Sequence, residues 1–235
     1  MALFTHYHSD HVGKFGELIV NRTIRGSKTS LPVIGPRGAR QVVNGLLSAY
    51  DLDNKYRKDH HKDKWNEKGM DVKVHEKSPG VVHDEGGVKI TMFEVDHFPV
   101  KPAMGYRFDY KVKSVVVSGD TKRVPQMTEM AKDCDVLVHE AVNKTLIKRA
   151  QKIGGNLVDL SERMWKMTLE MMDYHTSTEE VAEIARDANV KKLVLTHMVP
   201  APATNLAGEA LFISGMRKTY KGPIKVGRDG MEIKA

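Results

Sequence analysis

The N-terminal sequence MALFTHYHSDH contains an HxHxDH motif. The side chains of the motif that can bind a metal are those of His6, His8, Asp10 and His11. Imidazole nitrogens and carboxylate oxygens are ligands of zinc and of similar transition metals. Core packing and solvated surfaces rarely collect four such side chains in six consecutive residues. The motif therefore predicts half of a metal site, and the fold must supply the remaining ligands from elsewhere in the chain.

Length and composition indicate one soluble domain. At 235 residues the chain is of a size for a single domain over residues 1–235. No segment approaches the roughly 18 consecutive apolar residues of a membrane-spanning helix, and the N-terminus lacks a signal-peptide pattern. The single cysteine, Cys134, excludes an internal disulfide and a cysteine-based zinc cage. We therefore predict a cytoplasmic protein that does not associate with membranes.

The charge of the chain favours a polyanionic partner. Its formal net charge is +7, which is typical of nucleic-acid-binding proteins. The basic residues are spread along the chain and are not interleaved with the aromatic residues of a single-strand stacking platform. Two interpretations remain open at this point, namely phosphate binding beside an active site and solvated basic surfaces.

Apolar runs alternate with amphipathic segments along the chain. KFGELIVNRTI and ARQVVNGLLSAY have helical spacing. The predicted strands are ALFT, LPVIG, VKVHE, VVHD, KITMFEV, GYRFDY, SVVVS, DVLVHEA and KKLVLTH. The alternation predicts an α/β layered sandwich. Segment 51–70 is highly polar and is predicted to be a solvated helix or an insertion that extends from the domain as an arm.

The C-terminal half contains further structural signals. Residues 142–173 have helical character with an interruption at Gly154-Gly155. The methionines of this stretch are predicted to form a core stripe: Met164, Met167, Met171 and Met172. Thr176 with Glu179, and Ser177 with Glu180, both have capping-box spacing ahead of the next helix. KVGRDGMEIK predicts a closing hairpin around its Asp-Gly turn.

Reactive side chains follow the apolar strands. HYHSDH follows ALFT, and the later strand ends contribute His97, Asp120, His139, Glu140 and His197. In layered α/β folds, the loops beyond one set of strand ends converge on a common site. These residues are therefore the candidates that complete the site begun by the HxHxDH motif.

The motifs and their order resemble those of metallo-β-lactamase-fold hydrolases. THYHSDH, VDH ahead of GYRF, SGDT, VHEA, YHTS and LTHM occur in that family's order, and SLPVIGPRGARQVV adds a resemblance to the ribonuclease Z branch. The resemblance covers positions 5 to about 200. It implies a four-layer αββα sandwich. Because family members carry several strands ahead of HxHxDH, we expect an N-terminally shortened fold. Its sheet edge is then either left unpaired or covered in another way by the remaining chain.

The resemblance also implies a metal centre. It predicts two Zn²⁺ ions per chain, with Mn²⁺ or Fe²⁺ as alternatives. The implied ligands are His6, His8 and His97 for one ion, Asp10, His11 and His197 for the other, and Asp120 as the bridge. Asp10 is in addition expected to act in catalysis by orienting the attacking hydroxide.

A histidine and a glutamate are the implied proton-handling pair. The resemblance assigns His175 of YHTS as the donor to the departing ribose oxygen and Glu140 of VHEA as the group that orients it. A plain helix-cap histidine and a strand-end carboxylate are the alternative. Lactonases of the fold need no such pair, so the pair favours phosphodiester substrates. His139 is expected either to support the metal ligands or to be structural, rather than to bind metal itself, and His60 and His61 are expected to lie on a solvated surface.

The predicted function is that of a ribonuclease Z-like phosphodiesterase acting on precursor tRNA or a small phosphodiester or ester. Hydrolysis of esters, aryl sulfates, lactones or β-lactams is the main alternative. A second alternative is an inactive truncated remnant that binds RNA by charge. Segment 51–70 is charged and differs from the Gly/Pro-rich arm of tRNA-processing members. A homodimer is expected because this branch often forms dimers.

Overall fold

The computed structural model describes residues 1–154 and 162–235. The chain divides into two compact units, residues 1–78 and residues 79–235. Each unit has its own sheet and is described by itself. The prediction of a single domain over residues 1–235 stays a prediction. Among the described residues, no helix has both the length and the apolar character needed to cross a membrane.

The first unit is built on a small parallel sheet. Its elements are β1 (Ala2–Leu3), α1 (Ser9–Val12), α2 (Phe15–Ile24), β2 (Leu31–Gly35), α3 (Ala39–Ala49), α4 (Asp51–His61) and β3 (Val72–Glu76). The strand order is β1-β2-β3, with both pairings parallel. The strands and helices predicted for this part of the sequence are thus confirmed.

The core of the first unit lies where α2 and α3 cover this sheet. Val33 in the central strand and Val43 of α3 are fully buried, and Ile19 of α2 is 1% exposed. Phe4 continues the pairing beyond β1, since its N–H donates to the carbonyl of Ile34 at 2.9 Å. The HxHxDH motif therefore begins directly at the end of a paired strand, which fixes where its backbone leaves the sheet.

The polar segment 51–70 contains α4 and two 3-10 turns, Lys62–Lys64 and Glu67–Gly69. No residue of α4 is buried. Trp65 after it is buried, and its indole N–H donates to Asn54 at 2.8 Å, which ties the segment back to α4. His60 and His61 are exposed, as expected. The interpretation of this segment as an arm stays a prediction.

The second unit is built on a mixed sheet. Its strands are β4 (Gly80–Glu85), β5 (Val88–Glu94), β6 (Met104–Tyr110), β7 (Lys113–Val117), β8 (Val136–Val142), β9 (Leu193–Val199) and β10 (Ile224–Val226). Its helices are α5 (Pro125–Met130), α6 (Lys144–Gly154), α7 (Glu162–Met171), α8 (Thr178–Asp187), α9 (Leu206–Phe212) and α10 (Met216–Thr219). In the described residues the strand order is β10-β9-β8-β7-β6-β5-β4.

The direction of the strands in the second unit determines at which edge of the sheet the candidate site residues lie. β4 to β7 pair antiparallel, whereas β7 to β10 pair parallel. β7, β8 and β9 therefore end at the same edge of the sheet. α8 packs beside β8 and buries Val181 and Ile184 completely against a core that includes Leu137. Of the two candidate capping boxes, Ser177 with Glu180 is the one that forms.

Two predictions for the second unit are wrong. The hairpin predicted in KVGRDGMEIK does not form, since β10 pairs in parallel with β9 and no described strand follows the turn at Gly230. The methionine stripe is not in the core, because Met164 and Met167 of α7 are 51% and 55% exposed. Helical periodicity identifies an apolar face without identifying what covers it. The predicted interruption at Gly154-Gly155 extends outside the described residues.

Candidate active site

The HxHxDH motif forms a compact cluster within the first unit. His8 is extended and α1 begins at Ser9, so the backbone changes direction inside the motif. His6 is fully buried, and its Nε2 lies 3.2 Å from Nδ1 of His8. The ring centroids of His6 and His11 are 4.1 Å apart, and an oxygen of Asp10 lies 3.6 Å from Nε2 of His11. All four predicted side chains of the motif therefore lie together.

Tyr7 anchors this cluster and has no role in the sequence-based prediction. Its hydroxyl donates to the carbonyl of Pro36 in the turn after β2. A Cβ on Gly38 would lie 2.9 Å from the Tyr7 ring, and Gly38 has a positive φ of 107°. Burial, assisted by the nearby Glu76, raises the pKa of Tyr7, which therefore stays protonated. The Gly-Pro turn thus holds the motif in place through a residue between its histidines.

In the second unit, Asp120 lies between two of the predicted histidine ligands. Its Oδ2 is 3.9 Å from Nε2 of His97 and 3.5 Å from Nε2 of His197. Asp120 and His97 are both buried. Potential ligand atoms of Asp120, His175 and His197 all lie within 4.8 Å of one another. The ends of β7 and β9 and the loop after β5 therefore converge.

Backbone features orient the two histidines. Nδ1 of His97 lies 3.1 Å from the carbonyl of Tyr174, which favours the tautomer with the proton on Nδ1 and turns Nε2 towards Asp120. His197 is the extra residue where the β8–β9 register shifts between Glu140 and Ala141. It has a positive φ of 43°, a conformation that is uncommon outside glycine. A β-bulge thus re-aims this side chain at the strand end.

Glu140 and His175 form a buried hydrogen-bonded pair. Nδ1 of His175 lies 2.9 Å from Oε1 of Glu140. The same oxygen accepts from the backbone N–H groups of Thr121 and Thr176, at 3.0 and 3.2 Å. Burial raises the pKa of Glu140, and the hydrogen bond from His175 opposes that rise. The ring of His175 stacks on His197 with centroids 5.5 Å apart, so the pair adjoins Asp120 and its histidines.

His139 lies beside this pair without joining a group of potential ligands. It is fully buried, and its Nδ1 lies 2.7 Å from the carbonyl of Glu140. Burial lowers the pKa of His139 to about 4, so the ring is neutral at pH 7. Its Nε2 has no hydrogen-bond partner among the described residues. The supporting or structural role of His139 stays a prediction.

The donor set of the second unit fits a divalent metal ion. It combines imidazole nitrogens with carboxylate oxygens at the spacing given above, which is the ligand chemistry of zinc. Burying an ionised carboxylate such as that of Asp120 costs free energy, and a bound cation offsets that cost. The HxHxDH cluster of the first unit offers the same ligand types. Each unit by itself is therefore suited to contribute ligands.

Comparison with known proteins agrees with these features. A family model described as the beta-lactamase superfamily domain matches residues 1–198. The ribonuclease Z of Mycobacterium avium (strain 104) is 36% identical over 202 residues, which are 85% of this chain and 67% of that protein. A putative ribonuclease Z of Mycobacterium tuberculosis (strain CDC 1551 / Oshkosh) is 32% identical over 97% of this chain and 95% of that protein.

Solved structures show the same fold at low sequence identity. The short form of human tRNase Z superposes with a TM-score of 0.61 at 18% identity, covering 99% of this chain and 76% of that chain. The metallo-β-lactamase fold protein YhfI of Bacillus subtilis gives a TM-score of 0.62 at 18% identity, with coverages of 98% and 76%. These similarities confirm the fold class that the sequence motifs predict.

Proposed function

Because the chain belongs to the beta-lactamase superfamily and is a ribonuclease Z-like, metal-dependent hydrolase, we propose that it is an endoribonuclease that cleaves a phosphodiester bond of RNA. Precursor tRNA carrying a 3′ trailer is the proposed substrate. The observation that carries the proposal is the buried His175–Glu140 pair next to Asp120 and His197. Such a pair handles a proton at a departing alkoxide, which phosphodiester cleavage requires.

The proposed metal centre holds two zinc ions, with Mn²⁺ or Fe²⁺ as alternatives. The proposed ligands are His6, His8 and His97 for one ion, Asp10, His11 and His197 for the other, and Asp120 for both. Bound divalent ions supply water activation and polarisation of a phosphoryl oxygen. The support for this arrangement is the presence of suitable N and O donors at short distances within each unit.

His175 is the proposed proton donor. The contact between its Nδ1 and Glu140 selects the tautomer and ring orientation, so that Nε2 is the nitrogen that delivers a proton to the departing ribose oxygen. The Thr121 and Thr176 amides fix the carboxylate that holds the ring. Asp10 is the proposed residue that orients the attacking water, and its side chain is 61% exposed.

The test is a substrate panel combined with metal analysis. Purified protein should contain close to two equivalents of zinc and should cleave a precursor tRNA in preference to an aryl sulfate, a lactone and a β-lactam. His175→Ala should lower RNA cleavage by about 10²–10⁴-fold with unchanged metal content. His83→Ala is the matched control, because His83 is a partly buried histidine of β4 in the same unit.

Three results would contradict the proposal. Preference for one of the other esters would indicate the alternative hydrolase function. Binding of RNA without cleavage in the metal-loaded protein would indicate the binding-only alternative. Full RNA cleavage by His175→Ala would exclude His175 as the donor. A cytoplasmic location and a homodimer remain part of the proposal, and size-exclusion chromatography with light scattering measures the second.

A further inference from the structure

Phe98 is an exposed aromatic residue directly beside the site. It follows His97 in the connection between β5 and β6, and it is 60% exposed whereas His97 is 1% exposed. Among the described aromatic residues of the second unit, Tyr110 is the other with a strongly exposed ring, at 47%. Tyr110 ends β6 and so lies at the opposite end of the sheet from the site. The chain therefore places an exposed aromatic ring directly after a buried histidine of the site.

The turn that presents Phe98 is tightly held. The N–H of Val100 donates to the carbonyl of His97 at 2.8 Å, which closes the turn around Phe98. The N–H of Phe98 itself donates to the carboxylate of Asp96 at 3.0 Å. The exposed ring is therefore carried by an ordered backbone.

The same turn is connected to the loop that carries Asp120. The carbonyl of Asp96 accepts from the N–H of Lys122 at 2.7 Å, and Thr121 Oγ1 lies 3.2 Å from the N–H of Asp96. These contacts join the segment before His97 to the residues directly after Asp120. They fix the position of the Phe98 turn relative to the carboxylate, which is what a preorganised binding surface requires.

Two lysines lie close to Phe98 along the chain or through the bonded loop, together with the carboxylate of Asp96. Lys101 is exposed three residues after Phe98, and the partly buried Lys122 belongs to the loop that is bonded to this turn. Lysines attract phosphate oxygens, whereas an aromatic ring offers a surface for a planar base. An RNA strand has both features, since bases and phosphates alternate along it.

We propose that Phe98 is the stacking platform for one nucleobase of the RNA strand next to the scissile phosphodiester. The inference rests on the proposed function, and it assigns a base-binding subsite to a site whose other residues bind metal or handle protons. Proteins recognise single-stranded RNA largely by stacking unpaired bases on aromatic side chains. Because stacking is tolerant of sequence, this subsite selects for a nucleic acid strand over a small diester without selecting a particular base.

The test combines a protein variant with a modified RNA. Phe98→Ala should lower kcat/KM for the RNA substrate by about 5- to 100-fold, mainly through KM, because one base–ring stack is lost. A series of substrates should carry a single abasic nucleotide at successive positions on either side of the cut. At the stacked position, the abasic RNA should be cleaved equally by wild type and Phe98→Ala. Phe98→Trp should restore cleavage of the intact RNA, and Tyr110→Ala should behave as wild type.

The possible outcomes separate the inference from the function on which it rests. Equal cleavage of intact RNA by wild type and Phe98→Ala would overturn the stacking proposal and leave the endoribonuclease proposal intact. A loss in Phe98→Ala that is the same at every abasic position would also overturn it, since the loss would then be structural. Absence of RNA cleavage by the metal-loaded wild type would overturn the proposed function and the inference together.

Discussion

The two ends of strand β8 carry buried carboxylates in contrasting surroundings. Asp135 precedes the strand, and its carboxylate accepts from the N–H of Ser114 and from the ammonium groups of Lys113 and Lys191. These donors lower the pKa of Asp135 to about 2. Glu140, near the other end, has a pKa that burial raises. One end therefore holds a carboxyl group whose pKa is lowered by its donors, whereas the other holds one whose pKa is raised by burial.

The carboxylates at the two ends of β8 are suited to different roles, Asp135 to stabilising the fold and Glu140 to the chemistry of the site. The lysines at Asp135 keep more than half of their side-chain surface exposed, so the ion pairs form without full desolvation of the cations. Glu140 instead contacts a buried imidazole, His175. Pairs of buried titratable groups are costly for folding but are suited to proton transfer near neutral pH. Substitutions at the two ends should accordingly affect different measurements.

The largest contrast is expected from Asp120→Asn set against Asp135→Asn. The first removes the negative charge that lies between His97 and His197, and kcat/KM for RNA should fall by at least about 10³-fold, or about 4 kcal/mol of transition-state stabilisation. Bound metal, measured by atomic emission, should fall as well. Asp135→Asn should retain wild-type activity. Full activity in Asp120→Asn would contradict the claim that the residues at one end of the strands serve catalysis and those at the other serve stability.

The next effect is expected from Glu140→Gln. The amide can still accept from the Thr121 and Thr176 N–H groups, but it no longer carries the charge that stabilises a protonated His175. We expect a loss of about 100-fold in kcat at pH 7 with little change in KM. Thermal unfolding should show stability equal to or above that of wild type, because a buried carboxylate is replaced by a neutral group. A strongly destabilised but fully active variant would contradict the assignment.

His139 should make the stability of the protein depend on pH. Its pKa is about 4 in the folded protein and about 6.5 in an unfolded chain, so the unfolded state binds more protons between these values. This residue should therefore make stability rise with pH from 4 to 6.5, by up to about 1.4 kcal/mol per pH unit. His139→Gln should flatten this part of the curve in urea unfolding. An unchanged slope would contradict the burial of a neutral ring.

The sequence predicts which residues belong to the site, but it does not predict how their side chains are oriented. Asp120, Glu140 and His197 can be predicted because each follows or ends an apolar run, and parallel strands gather such residues at one edge. The bulge that turns His197 has no sequence signature, since it depends on the register between two strands. The carbonyl of Tyr174 that orients His97 is likewise a backbone group that every residue type provides.

The wrong predictions have a common physical origin. Met164 and Met167 have the spacing of a buried helix face, and Asp229-Gly230 has the composition of a hairpin turn. Both patterns are local, but burial and strand pairing depend on which distant segment is a neighbour. Phe98 is the opposite case, because nothing in its sequence context distinguishes it from a core residue, and the closed turn is what exposes it.

The smallest effect is expected for the free energy of unfolding of Asp135→Asn. The variant keeps an acceptor for the Ser114 N–H but loses both ion pairs, and we expect a loss of about 1–2 kcal/mol at pH 7, since the two lysines are largely exposed. The folded-state pKa is about 2, below the usual value of about 3.8, so this contribution is present above pH 4 and disappears as the pH falls towards 2. Urea unfolding of both proteins across this range should show the two stabilities converging in acid. A difference that persists at pH 2 would mean that packing, rather than charge, gives Asp135 its role. In that case the charge of Asp135 would not be what distinguishes this end of β8 from the end that carries Glu140.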